Sequence, residues 1–304
     1  MQKEKLIEKI LKLKKKRKAI ILAHNYQPPE IQDIADLRGD SLELSLKASK
    51  TDAEVIVFCG VFFMAETAKI VSPQKKVLLP VKDVPCEMAE MITPEDVLDL
   101  KNKYPNAPVV TYVNSYAEIK ALSDICCTSA NAVKVVGTLK ENTVIMLPDM
   151  NLAQYVQRFY PDKKIIYHEG FCPFHHFLTP EEVIKAKKEH PKAVFIAHPE
   201  CRPEVIDLAE YVASTSGMLR LAKELPYKEF IIGTEVGLLY PLKKENPDKI
   251  FYHPSPEKMF CVSMKKISLE DLFNALENLE FEIELPEEII RKAQNAVKRM
   301  LEIV

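Results

Sequence analysis

Cys86, Cys172 and Cys261 stand 86 and 89 residues apart in a chain of 304 residues. Three thiolates drawn from distant loops suit a metal centre, and three protein ligands leave a coordination position open, as a catalytic site needs and a closed structural site does not. A zinc ion with a bound water fits this set. So does a cubane 4Fe-4S cluster with three cysteine-bound irons and one open iron. Local C-x-x-C pairs, the usual mark of zinc, are missing, and Cys126 and Cys127 are merely adjacent, which favours the bulkier cluster. Cys59, Cys126, Cys127 and Cys201 sit in or beside apolar runs, or lack counterparts at the repeat interval, and read as small core residues.

A second set of groups keeps the same interval. His24, Tyr112 and His198 lie 88 and 86 residues apart at the ends of apolar runs, followed by Tyr26, Asn114 and Glu200. The hydroxyl residues Ser41, Ser129 and Thr215 repeat that spacing, each before a helix-like run. Such a residue either caps the helix or, with the helix N-terminus, meets an anion. His198 and Glu200, two residues apart on a segment read as extended, project to one side and form a general acid/base pair. Tyr26 and His24 make a second group, and Tyr112 with Asn114 suits the orientation of carboxylates. His168 and His253 are placed to steady the cysteine loops, and His175 and His176 could do likewise, although surface or core histidines are the commoner case.

The elements that must position these groups repeat as well. Apolar runs at 19–23, 109–113 and 193–197 read as buried strands, and last strands follow Lys75-Lys76-Val77, Lys163-Lys164-Ile165 and Asp248-Lys249-Ile250. Seven residues after each cysteine comes a helix start, Thr93-Pro94-Glu95, Thr179-Pro180-Glu181 or Ser268-Leu269-Glu270. A period near 88 residues exceeds that of solenoids and propellers. The expected architecture is therefore α/β, with three similar three-layer αβα domains related by pseudo-threefold symmetry at 1–92, 93–178 and 179–285. The helix at 286–304 returns to complete the first. Open α/β sheets bind ligands at the carboxyl ends of their strands, so the active site is expected where the three domains meet.

Composition narrows the function classes. At 47% hydrophobic and 28% charged the chain is globular, and 42 basic against 44 acidic residues give a net charge of −2. That balance offers no general attraction to nucleic acid or an anionic membrane. The lysine-rich stretch at 3–18 has helical apolar spacing and reads as a solvated helix face. No stretch approaches the roughly 20 apolar residues of a membrane span, and the N-terminus does not resemble a signal peptide. Seven cysteines, an odd number, suit reduced thiols and a cytoplasmic protein.

The motifs Ala23-His24-Asn25-Tyr26-Gln27, Gly39-Asp40-Ser41, Met64-Ala65-Glu66, Tyr112-Val113-Asn114-Ser115, Thr128-Ser129-Ala130-Asn131-Ala132, Cys172-Pro173-Phe174-His175, His198-Pro199-Glu200-Cys201, Gly233-Thr234-Glu235 and Met264-Lys265-Lys266, in this order, resemble those of the quinolinate synthase (NadA) family. The likeness runs over nearly the whole chain. It implies a 4Fe-4S cluster on Cys86, Cys172 and Cys261 whose open iron is a Lewis acid. It also implies condensation of iminoaspartate (iminosuccinate) with dihydroxyacetone phosphate to quinolinate, with loss of phosphate and two waters, in de novo NAD biosynthesis. His24, Ser41, Tyr112, Asn114, Ser129, His198, Glu200 and Thr215 would line the substrate pocket, while residue chemistry makes Tyr26, His198 and Glu200 the catalytic candidates. An aspartate oxidase or aspartate dehydrogenase would supply the iminoaspartate. The residues alone leave two other classes open: a zinc-dependent hydrolase or aldolase, and an iron–sulfur sensor, using the same three thiols.

Overall fold

The computed structural model describes residues 2–303. Met1 and Val304, the outer ends of the expected first domain and C-terminal helix, lie outside the described residues. The chain forms three four-stranded sheets, all parallel, with one connectivity used three times. The first sheet, in the order β2-β1-β3-β4, takes β1 (Ala19–His24), β2 (Leu37–Gly39), β3 (Val55–Cys59) and β4 (Lys76–Leu78). The second, β6-β5-β7-β8, takes β5 (Val109–Tyr112), β6 (Ile125–Cys127), β7 (Thr143–Leu147) and β8 (Lys164–Tyr167). The third, β10-β9-β11-β12, takes β9 (Val194–Ala197), β10 (Tyr211–Val212), β11 (Glu229–Gly233) and β12 (Ile250–Tyr252). The fold is thus three similar αβα units, as the repeat predicts.

The apolar runs become strands because both of their faces are covered, which parallel sheets require. Alternate residues of β1 serve two cores. Ile20 and Leu22 face one shared by all three sheets, which also takes Val110, Met146, Ile196 and Ile232. Ile21 and Ala23 face an outer core private to the first sheet, with Ile10, Leu269, Leu272 and Leu276. The second and third sheets have outer cores of their own, around Val97 and Val183. The inner faces of the three sheets therefore bind the molecule together, and the carboxyl ends of the strands meet at its centre.

The helix-start signals after the cysteines are all capping boxes. Thr93, Thr179 and Ser268 accept from the amides of Asp96, Glu182 and Asp271, whose carboxylates reach back to the cap backbone. The first two helices cover the sheet that follows their cysteine. Helix Pro94–Lys103 lies on the second sheet through Val97, and helix Pro180–Glu189 lies on the third through Val183. Helix Leu269–Asn278 closes the ring by packing on the first sheet and on helix Gln2–Lys16. Packing thus groups Leu269–Asn278 with the first sheet rather than the third.

The C-terminal helix Glu287–Leu301 lies between the first two units, against helix Phe62–Val71, helix Ala117–Ala121 and β6. Asn131 fastens its end: its Nδ2 donates to Met300 O at 3.2 Å and Ile303 O at 2.8 Å, while its Oδ1 accepts from Thr128 N–H at 2.8 Å. Asn131→Ala strands buried carbonyls and an amide, and should lower stability by about 2 kcal/mol. The check is a urea midpoint that falls without a change of slope.

Candidate active site

The loops leaving the strands close around one cavity of about 70 Å³. It is lined by Cys86, Cys172 and Cys261, and by His24, Tyr26, Ser41, Tyr112, Asn114, Ser129, His198, Glu200 and Thr215. All the site residues named from the sequence are therefore in one place. Each sheet contributes one cysteine, one strand-end residue and one hydroxyl.

The hydroxyls reach the cavity by a different local route from that expected. Ser41 and Thr215 are not helix caps. Asp40 caps helix Ser41–Lys50 by accepting from Leu42 and Glu43, and Ser214 caps helix Thr215–Glu224 by accepting from Gly217. Ser129 lies two residues ahead of Asn131, the cap of helix Ala132–Thr138. With the caps supplied by neighbours, Ser41 and Thr215 sit in the first helical turn and line the cavity. The Thr215 hydroxyl accepts from Asn25 Nδ2 at 2.9 Å, which links the first and third sheets.

His198 and Glu200 also meet by another geometry. They lie on a turn, closed by Cys201 N–H donating to His198 O at 2.9 Å, and not on an extended segment. The turn folds the carboxylate back, so that Glu200 Oε2 lies 3.0 Å from His198 Nδ1. A second imidazole flanks it, His175 Nδ1 at 3.1 Å, and the two rings stack with centroids 4.6 Å apart. Burial raises the cost of the Glu200 charge, but His175, His198 and the Tyr112 hydroxyl turned toward it hold its pKa below the ordinary carboxylate value. Glu200 Oε1 is buried with no donor meeting hydrogen-bond geometry, and so is Asn114 Oδ1. Two acceptors therefore line the cavity without partners.

The other polar groups are held as neutral donors. Burial pushes the phenols of Tyr26 and Tyr112 well above their usual range, so both keep their protons. Tyr26 Oη lies 2.5 Å from Thr234 Oγ1, and His175 Nε2 lies 2.8 Å from the same oxygen. Thr234 thus joins Tyr26 to the His175–Glu200 group. The sequence reading gave Thr234 no role. For His175 a core position is the commoner expectation and support of the cysteine loop the alternative; it is buried and contacts Cys172 Sγ at 3.1 Å. The signal that could have found Thr234 is its place directly after β11, matching other strand ends that carry polar residues.

Burial, followed by Lys265 and His198, lowers the His24 pKa to about 3. Burial lowers that of His253 to about 4, against a bond to Thr234 O. Both are therefore neutral when folded, whereas unfolded imidazoles titrate near pH 6.5. Because the unfolded chain takes up these protons first, stability present above pH 6.5 is lost as pH falls toward 3 to 4. The expected loss between pH 7 and pH 5 is roughly 4 kcal/mol for the two together. Urea midpoints unchanged over that range would contradict the neutral burial of these rings.

All three thiols line the cavity and are pushed up chiefly by burial. Burial, then Cys261 among its neighbours, pushes the Cys86 thiol up to about 12, and burial, then Glu200 and Cys86, pushes Cys172 well up. Burial lifts Cys261 to about 11. Three such thiols facing one space, beside two unpartnered oxygens, are a donor set that a cation would convert to thiolates. They fit a group held by three cysteines. Cys172, His175 and Glu200 also form a sulfur, nitrogen and oxygen group whose ligand atoms lie within 4.8 Å of one another. Cys59, Cys126, Cys127 and Cys201 are buried in the cores.

A family model described as Quinolinate synthetase A protein matches residues 8–302. The chain belongs to this family. Among its relatives, quinolinate synthase of Thermodesulfovibrio yellowstonii is 56% identical over 298 residues, 98% of each chain. Quinolinate synthase of Geotalea uraniireducens is 53% identical over 303 residues, covering 100% of this chain and 99% of its own. Quinolinate synthase 1 of Methanosarcina acetivorans is 54% identical with the same coverage. Membership in the quinolinate synthetase A family thus extends over all three sheets and all three cysteine loops. No helix among the described residues is long and apolar enough to cross a membrane.

Proposed function

We propose that this chain is a quinolinate synthase of de novo NAD biosynthesis, a cytoplasmic enzyme that condenses iminoaspartate with dihydroxyacetone phosphate and releases phosphate and two waters. The observation that supports this reading is the convergence of three thiols, one from each sheet, on a cavity edged by hydroxyls, phenols and a His–Glu group, in a chain more than half identical to proteins named quinolinate synthase. Cys86, Cys172 and Cys261 would hold a 4Fe-4S cluster. When bound, such a cluster supplies an open iron that acts as a Lewis acid toward a substrate oxygen.

The remaining work falls to the chain. Ser41, Ser129 and Thr215 offer hydroxyls, and the first turns of their helices offer amides, to the phosphate and carboxylates. His24 and Tyr26 donate at the phosphate end, while Tyr112 and Asn114 orient carboxylates. Glu200, ionised and held between two imidazoles, takes up protons during imine formation, rearrangement and loss of water. His198 returns them. An aspartate oxidase or aspartate dehydrogenase provides the unstable imine.

Iron, sulfide and zinc content of protein purified without oxygen, followed by an assay for quinolinate, tests this reading. About four irons and four sulfides per chain with quinolinate formed is the expected result. The group of Cys172, His175 and Glu200 suits zinc, and zinc without sulfide would favour the hydrolytic or aldol reading. Iron and sulfide without turnover would favour the sensor.

A further inference from the structure

The residue two places beyond the third strand of each sheet occupies an equivalent position: Val61 after β3, Asp149 after β7 and Glu235 after β11, 88 and 86 residues apart. The amide that follows makes the same bond in every case. Phe62 N–H donates to Val84 O at 2.9 Å, Met150 N–H to Gly170 O at 2.8 Å, and Val236 N–H to Met259 O at 2.9 Å. Each acceptor lies two residues before a cysteine of the proposed cluster. One recurring contact therefore docks all three cysteine loops, and the side chain at that contact is what differs between them.

Glu235 has the most developed set of contacts. It is 1% exposed. Its Oε1 accepts from the Cys261 amide at 3.1 Å, and its Oε2 accepts from Gly237 N–H at 2.7 Å. Lys265 Nζ pairs with both oxygens, at 2.8 and 2.9 Å, and also donates to Tyr26 O. The space is filled: a Cβ on Gly237 would stand 2.6 Å from Lys265 Nζ and 2.7 Å from Tyr26 O. Asp149 is also buried and accepts from Leu152 N–H at 2.9 Å, but its second carboxylate oxygen has no partner. Val61 has no side-chain acceptor to give.

We infer that Glu235 is a positioning residue for Cys261, fixing the cysteine amide and, through Lys265, tying that loop to the Tyr26 backbone. The inference rests on reading Cys261 as a cluster ligand, but the hydrogen bond itself is testable without that reading. The experiment compares the full chain with Glu235→Ala and Glu235→Gln. It reads amide hydrogen exchange at Cys261 and the rate at which a chelator removes iron.

In Glu235→Ala the Cys261 amide should exchange roughly tenfold faster, with the amides of β11 unchanged, and iron should leave roughly tenfold faster, as loss of one buried hydrogen bond predicts. Glu235→Gln keeps an acceptor and should stay within about threefold of the parent in both. It also provides the comparison should the alanine variant not fold, because a Gln variant with a freely exchanging Cys261 amide overturns the inference. So does an alanine variant whose Cys261 amide is unchanged, or whose whole third sheet speeds up equally. Faster exchange in a chain that never holds iron would sustain the hydrogen bond while overturning Cys261 as a ligand.

Discussion

Glu200→Gln should leave the fold and the iron content intact and reduce quinolinate formation by roughly 10²- to 10⁴-fold, the usual contribution of a positioned acid or base. The amide replaces the carboxylate almost without change of volume, and one of its atoms can still bond His198 or His175, which approach Oε2 at 3.0 and 3.1 Å. What it cannot do is accept a proton. The loss should therefore appear in kcat, with saturation at much the same substrate concentration. A variant of near-normal turnover would remove Glu200 from the acid/base role and leave His198 and Tyr26 to carry it.

The second large effect concerns the thiols. Cys86→Ser, Cys172→Ser and Cys261→Ser should each lower iron and sulfide from about four per chain to well under one, and abolish turnover. The hydroxyl is a poor substitute for a thiolate at a soft metal centre. Cys201→Ala is the control: Cys201 is fully buried, with Sγ 3.5 Å from Gly233 O and apolar neighbours around it. It should keep its iron and its activity, losing only some stability. Equal loss of iron from all four variants would mean that cluster content reports folding alone.

Much of this arrangement was legible because its signals are local. Thr93, Thr179 and Ser268 announce their helices within four residues, since a capping box is satisfied by its own first turn. Fully buried strands such as Val194–Ala197 read as continuous apolar runs. The interval near 88 residues then brought together groups that no single motif could identify. Three features were not legible, each for a physical reason. A polar residue before a helix does not reveal whether it or its neighbour is the cap, so Asp40 and Ser214 displaced Ser41 and Thr215. Proline at 199 allowed either an extended segment or a turn, and the contact of His198 with Glu200 depends on the turn. Which sheet the helix after Cys261 would cover is a long-range matter, decided by Leu269, Leu272 and Leu276 meeting Ile21 and Val57. The bridging place of Thr234 is equally nonlocal, because its partners Tyr26 and His175 lie 208 and 59 residues away.

The route taken by the cysteine loops has a mechanical consequence. Cys86 leaves the first sheet on its way to a helix seated on the second, Cys172 passes from the second to the third, and Cys261 returns from the third to the first. Each thiol rides on a strap across a different seam. An ion or cluster gripping all three would act as a buckle, and by mass action its affinity would be added to the work of parting any one seam. Loosening one strap would then slacken the hold on the other two.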